Sequence, residues 1–235
     1  MDTRIYIMTH KQFEVPQVEG YIPLQVGKEG KADLGYLCDN SGNHISEKNS
    51  SFCELTGLYW MWKNVQCDII GLCHYRRYFV KRELEHQPIA LEQKILDKAY
   101  IEEYLKKYDM IIPNSAQTEQ GSVYKHYEEQ HHISDWLSCG EIIKEKYPKY
   151  YPAFTWSQDC NFISLGNMVI TKKEILDEYC EWLFDILFEL EQRVDISDYD
   201  SYQHRIFGFL SERLFRVWVM SHPLKVREEQ VLMVE

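Results

Sequence analysis

The densest chemistry in the chain is the run His74-Tyr75-Arg76-Arg77-Tyr78. Two adjacent guanidinium forks match phosphate oxygens bidentately. They follow the apolar stretch Asp68-Ile69-Ile70-Gly71-Leu72-Cys73. Charges placed where a strand runs out face the crevice at its carboxyl end, where α/β folds hold ligands. If the strand continues through the cluster, His74, Arg76 and Tyr78 share one face, with Tyr75 and Arg77 on the other. The competing reading is that the arginines pair with some of the 37 acidic residues and the tyrosines pack.

Three further groups carry candidate chemistry. Asp39-Asn40-Ser41-Gly42-Asn43-His44-Ile45-Ser46 contains ordinary turn formers. Asp39 can equally bond a ribose or base edge, as acidic residues do in dinucleotide folds. His131 and Asp135, with His132 between them, fall at i and i+4 and would share a helix face. That spacing suits an oriented general base, a metal pair or a plain ion pair. Last, Asp195, Asp198 and Asp200 lead into Arg205 and Glu212. Asp198 or Asp200 can simply cap a helix, and Glu212 can pair with Arg216 at i+4. Arg205 lies seven residues before Glu212, on roughly the same face, and is a second candidate phosphate or sugar contact.

The elements that must position these groups are legible in outline. Arg4–Met8 and Tyr21–Val26 read as strands, and residues 27–51 as a polar functional loop. Ser51 and Glu54 fit a capping box for a helix that carries Leu55, Leu58, Tyr59 and Trp62 and stops near Asn64. The apolar run 68–73 predicts a central strand covered on both faces. Residues 83–108 predict a solvated helix, 109–113 a buried strand, 114–124 a polar loop and 127–147 one helix ended by Pro148. One or two strands follow at 162–170, then helices at 173–193 and 202–220. Together these predict an α/β fold, one domain over residues 1–235, with a mostly parallel central sheet and a helical C-terminal layer.

Composition narrows the function. Lys plus Arg is 26 and Asp plus Glu is 37, a net charge of -11, so a nucleic acid is not an expected partner. With 14% aromatic residues the chain is not disordered. Seven cysteines without a CxxC pair read as reduced thiols. No apolar run approaches the ~20 residues that span a bilayer, and the first residues lack a signal-peptide core. The expected location is cytoplasmic, at most on the inner face of the cell membrane. A P-loop, GxGxxG, GxSxG and HExxH are all absent. No Asp-x-Asp pair follows the strand at 68–73; arginines stand where metal-using sugar transferases place carboxylates.

Several long strings resemble the DUF4422 family. They are Cys53-Glu54-Leu55-Thr56-Gly57-Leu58-Tyr59-Trp60-Met61-Trp62-Lys63-Asn64, Gly71–Phe79 with its HYRRYF core, Asn167-Met168-Val169-Ile170 and Arg205–Leu214. The resemblance implies a GT-A-like nucleotide-sugar fold. It also implies glycosyl transfer in capsule, exopolysaccharide or O-antigen assembly, with similarity to galactofuranosyltransferases. On that basis the expected reaction moves a sugar from a UDP-sugar to a lipid-linked glycan, beside the membrane or its assembly partners. The departing diphosphate is assigned to Arg76 and Arg77, with Arg205 as a third contact. The nucleoside is assigned to Thr9, His10, Lys11 and Asp39, and Asn40 and Asn167 are further substrate contacts. The candidate acid or base is His74, Asp135 with His131, Asp200 or Glu212. No cofactor is expected, and a divalent metal is not favoured. Two alternatives remain open: a non-catalytic sugar-binding or scaffolding subunit, and a metal-dependent hydrolase built on His131, His132 and Asp135.

Overall fold

The computed structural model describes residues 1–234. The chain begins with β1 (Thr3–Thr9), β2 (Tyr21–Gln25) and β3 (Leu37–Cys38), then α1 (Asn49–Phe52) and α2 (Leu55–Asn64). Next, β4 (Ile69–His74) turns straight back into β5 (Arg77–Val80). The short helices α3 (Leu91–Lys94) and α4 (Lys98–Tyr104) precede β6 (Met110–Pro113) and β7 (Ala116–Gln117). Helices α5 (Val123–Gln130), α6 (Ile133–Lys146) and α7 (Tyr151–Asp159) lead to β8 (Phe162–Ile163) and β9 (Val169–Lys172). Two long helices, α8 (Lys173–Arg193) and α9 (Ile206–Met220), come before β10 (Val226–Met233).

Eight strands form one sheet in the order β3-β2-β1-β4-β5-β10-β6-β9, and β9 also pairs with β4. The half made by β3, β2, β1 and β4 is parallel throughout. The other half is mixed. β6 and β10 run parallel, whereas β4–β5, β4–β9, β5–β10 and β6–β9 are antiparallel. The expected mostly parallel sheet therefore holds only for the first half. The reason is local: only Tyr75 and Arg76 separate β4 from β5, and a parallel connection needs a crossover of a dozen residues or more. Because of this turn the strand does not continue through His74–Tyr78. The pairings β4-β9-β6-β10-β5-β4 close on themselves, so the hairpin that carries Arg76 and Arg77 is braced on both sides.

Alternation along the central strands divides the core. Tyr6 and Met8 of β1, with Ile70 and Leu72 of β4, pack under α2, α6, α8 and α9. Ile5 and Ile7, with Ile69 and Cys73, face the opposite way onto Tyr78, Phe79, Ile95, Leu96 and Ile101. Both faces of β4 are covered, as its unbroken apolar run predicts. At Gly57 an added Cβ would meet Met8 Sδ at 2.5 Å and Val26 Cγ1 at 2.7 Å, so α2 lies hard against the ends of β1 and β2.

Four helix expectations need correction. The capping box does not form: α1 stops at Phe52, Cys53 takes a positive φ, and Glu54 starts α2 with no side-chain cap. Residues 83–108 hold two short helices rather than one. The helix expected over 127–147 breaks at His131, whose backbone is extended, so α5 and α6 are separate. The last α-helix starts at Ile206, after a single 3-10 turn at Gln203–Arg205. Among the described residues no helix is long and apolar enough to cross a membrane.

Candidate functional site

A cavity of about 1150 Å³ opens where β1 and β4 end. Thr9 and His10 enter it from β1, and His74, Tyr75, Arg76 and Arg77 from the β4–β5 turn. Lys31, Asn49, Cys53 and Glu54 come from the long loop and the start of α2. Arg205, Phe209, Glu212 and Arg213 of α9 and its approach form the opposite wall, beside His126 and His131. The Lys and Arg side chains on this wall are Lys31, Arg76, Arg77, Arg205 and Arg213; the carboxylates are Glu54 and Glu212. A chain of net charge -11 has thus gathered five cations against two anions at one place.

The cations are not consumed by ion pairs. Among the described residues only Arg213 of the five has a carboxylate within salt-bridge distance, that of Glu212 at 2.8 Å. Arg76 and Arg77 are exposed at the cavity wall, and Arg76 lies over the Tyr75 ring at 5.2 Å. Arg205 donates to Cys53 Sγ at 3.4 Å and covers Phe209. The field is felt by His10: burial first, then Lys11, Lys31, Arg76 and Arg205 together, push its imidazole below the usual range.

Behind the arginines, Gly166 and Asn167 form a clasp. Gly166 has φ +95° and Asn167 φ +49°. His74 Nε2–H donates to the Gly166 carbonyl at 2.5 Å. The Gly166 N–H donates to Glu212 Oε1 at 2.6 Å. Asn167 Nδ2 donates to Glu54 Oε1 at 2.7 Å and to the Gly208 carbonyl, and its Oδ1 accepts from Ser211. One dipeptide thereby ties the end of β4, the start of α2 and the first turns of α9. Burial lowers the affinity of His74 for a proton, opposed by the Glu54 charge and the bond to Gly166. Burial also raises the Glu212 carboxyl, opposed by Arg213.

The site residues named from the sequence separate into two groups. Thr9, His10, His74, Arg76, Arg77, His131, Arg205 and Glu212 all line the cavity. Lys11 lines an adjoining cavity of about 470 Å³ that shares Tyr75 and Arg76 with the first. Asn167 stands behind the wall as a brace. Asp39 is elsewhere: fully buried, it accepts from the Gly27 and Lys28 N–H groups and from the Ser46 and Thr56 hydroxyls. It ties the long loop to α2 and has no lone pair turned to a ribose. Asn40 donates to Glu29 and does not line the cavity. Asp135 is buried against the Tyr199 hydroxyl, away from His131, because the helix between them is broken. Asp200 caps the 3-10 turn through the Tyr202 and Gln203 N–H groups. Glu212 does not pair with Arg216, which donates to Ser115 and Ser164. The His131, His132 and Asp135 set does not converge as ligands: His131 stacks on Phe209 and His132 on Tyr199.

The profile of a family described only as a domain of unknown function, DUF4422, matches residues 4–223. The chain belongs to the DUF4422 family. Its fold is similar to the apo structure of WbbM, a bifunctional glycosyltransferase, with a TM-score of 0.92 and 31% identity. That match covers 99% of this chain and 45% of the WbbM chain, so the chain spans less than half of that protein. No curated protein matches it.

In this DUF4422 chain the sequence reading missed Lys31, Glu54, His126, Tyr202 and Arg213 as cavity residues. For Glu54 a signal existed, since it heads the Glu54-Leu55-Thr56 string, but its spacing from Ser51 read as a helix cap. His131 supplies a pH prediction. Burial lowers its pKa to about 4, against an unfolded value near 6.5. A base depressed in the folded state stabilises fully above pH 6.5, and that contribution is lost as pH falls towards 4. His131→Phe keeps the stack on Phe209 without the titration. The wild type is expected to lose stability from pH 7 to pH 5 more steeply than the variant. The difference approaches at most ~1.4 kcal/mol per pH unit, the limit for one proton. Urea midpoints at the two pH values read it, and equal slopes refute it.

Proposed function

We propose that this DUF4422 chain is a GT-A-like glycosyltransferase that moves a sugar from a UDP-sugar to a hydroxyl of a lipid-linked glycan. The carrying observation is the cavity at the carboxyl ends of β1 and β4 where Lys31, Arg76, Arg77 and Arg205 meet with no carboxylate in salt-bridge distance among the described residues. The likeness to WbbM supports the reaction class. As the sugar leaves, charge builds on the diphosphate, and fixed cations stabilise that charge more than they stabilise the bound donor. Arg76 and Arg77 take this role, with Arg205 facing them from α9. Thr9 and His10 sit where the nucleoside enters. Galactofuranose is one donor sugar to test, and capsule or O-antigen assembly at the inner membrane face is the setting we favour.

A divalent cation is the usual partner of the diphosphate in such folds, and the carboxylates of this cavity are already engaged. Glu54 and Glu212 are each held by Asn167 or by Gly166 and Arg213, and no set of three or more His, Cys, Asp or Glu side chains converges among the described residues. These residues do not make a metal cradle.

The direct experiment is a thermal-shift panel of UDP, GDP, CMP and their sugars, followed by UDP release in EDTA. A ligand at 100 times its Kd adds about 2.7 kcal/mol to the folded state. The UDP series is expected to stand out, and turnover to persist in chelator. No stabilisation by any nucleotide overturns the donor. Binding with no transfer to any acceptor favours a sugar-binding module. Turnover only with added Mn²⁺ overturns the arginine role.

A further inference from the structure

Among the described residues only two non-glycine positions have positive φ, Cys53 at +52° and Asn167 at +49°. Such conformations are costly for a side-chain-bearing residue and persist only where their surroundings enforce them. Both serve one carboxylate. Cys53 breaks α1 from α2 so that the next residue, Glu54, turns into the cavity instead of running along a helix. Asn167 meets it there with the 2.7 Å bond to Oε1. Asn167 is itself fixed by Gly208 and Ser211.

The two cavity carboxylates are not equivalent. Glu212 has both oxygens occupied, one by the Gly166 N–H and the other by Arg213 at 2.8 Å. Glu54 has Oε1 held, while Oε2 has no protein partner among the described residues. Glu54 lines the same cavity as His74, Arg76, Arg77, Arg205 and Glu212, between the end of β4 and α9. His74 donates its Nε2–H to the Gly166 carbonyl, which leaves Nδ1 as its lone-pair nitrogen.

Resting on the glycosyl-transfer reading above, we propose that Glu54 is the general base that activates the acceptor hydroxyl. The acceptor O–H proton passes to Glu54 Oε2 as the oxygen bonds to the anomeric carbon. The bond from that carbon to the diphosphate oxygen breaks, and its electron pair leaves on the diphosphate facing Arg76 and Arg77. The anomeric configuration inverts. Asn167 is a positioning residue that holds Oε1 so that Oε2 faces the acceptor.

Glu54→Gln keeps the shape and still accepts from Asn167, so folding and nucleotide binding are expected to be preserved. General-base loss costs roughly 10²–10⁴ in rate. The expected result is a fall in kcat of about 100-fold or more, UDP affinity within about threefold, and loss of the acid limb of the kcat/KM profile. Transfer by Glu54→Gln within about threefold of wild type overturns the base and leaves the transferase reading intact. Absence of transfer by the wild type with every donor overturns the transferase reading itself. A third measurement needs no variant: NMR of the wild-type product is expected to show inversion at the anomeric carbon, and retention overturns the proposal even if Glu54→Gln fails to fold.

Discussion

Arg76→Ala/Arg77→Ala is expected to lower donor turnover by roughly 10³-fold, since single contacts of this kind are worth about 10²–10³ in rate. Both side chains are exposed at the cavity wall and carry no ion pair among the described residues, so little of the fold depends on them. Stability should stay within about 0.5 kcal/mol of wild type, the usual range for surface changes. The loss should therefore appear in kcat with the melting curve unmoved. Lysine at both positions keeps the charge but not the planar fork, and is expected to recover only part of the activity. Added Mn²⁺ should not rescue the alanine pair. Steady-state UDP release reads all of this, and a loss under tenfold removes the arginines from the leaving-group role.

Asp39→Ala is expected to be the most destabilising single change outside the apolar core. Four donors converge on this carboxylate: two backbone N–H groups of the loop, the Ser46 hydroxyl at 2.5 Å and the Thr56 hydroxyl at 2.6 Å. Alanine leaves all four facing a hole, and breaking a buried charged network of this type costs about 3–5 kcal/mol. Asp39→Asn keeps one acceptor but turns an amide toward two of the donors, and should fall between. Urea denaturation measures both. A loss below about 1 kcal/mol for alanine would return Asp39 to the list of ligand contacts.

Arg76, Arg77 and Asp39 also show what the sequence disclosed and what it hid. Arg76 and Arg77 were legible because an apolar strand ending in charge has few other uses; Arg205 and Glu212 were paired by their seven-residue spacing, although Arg205 sits in the turn just before α9. Asp39 was not. The string Asp-Asn-Ser-Gly reads alike for a turn, a sugar contact and a brace, and the deciding hydroxyl of Thr56 lies 17 residues away. Glu54 was hidden by a local rule that it satisfies on paper, while the Cys53 kink that overrides it is set by packing against α9. The break between α5 and α6 carries no Gly or Pro to announce it. Strand β10 escaped notice because Val-Arg-Glu-Glu-Gln-Val-Leu-Met is too charged to look like an interior strand. Its Glu229 is nonetheless fully buried, paired with Arg227 at 2.9 Å.

That last strand has a consequence for how the chain matures. β10 slots between β5 and β6, with Met233 opposite Arg77 and Gln230 opposite Val80. During synthesis the parallel half can collapse early, yet the hairpin bearing the arginines must wait for residues made about 150 positions later. Until they leave the ribosome, β5 has an unpaired edge open to mispairing. The arginine-bearing rim is thus the last part of this sheet to be completed.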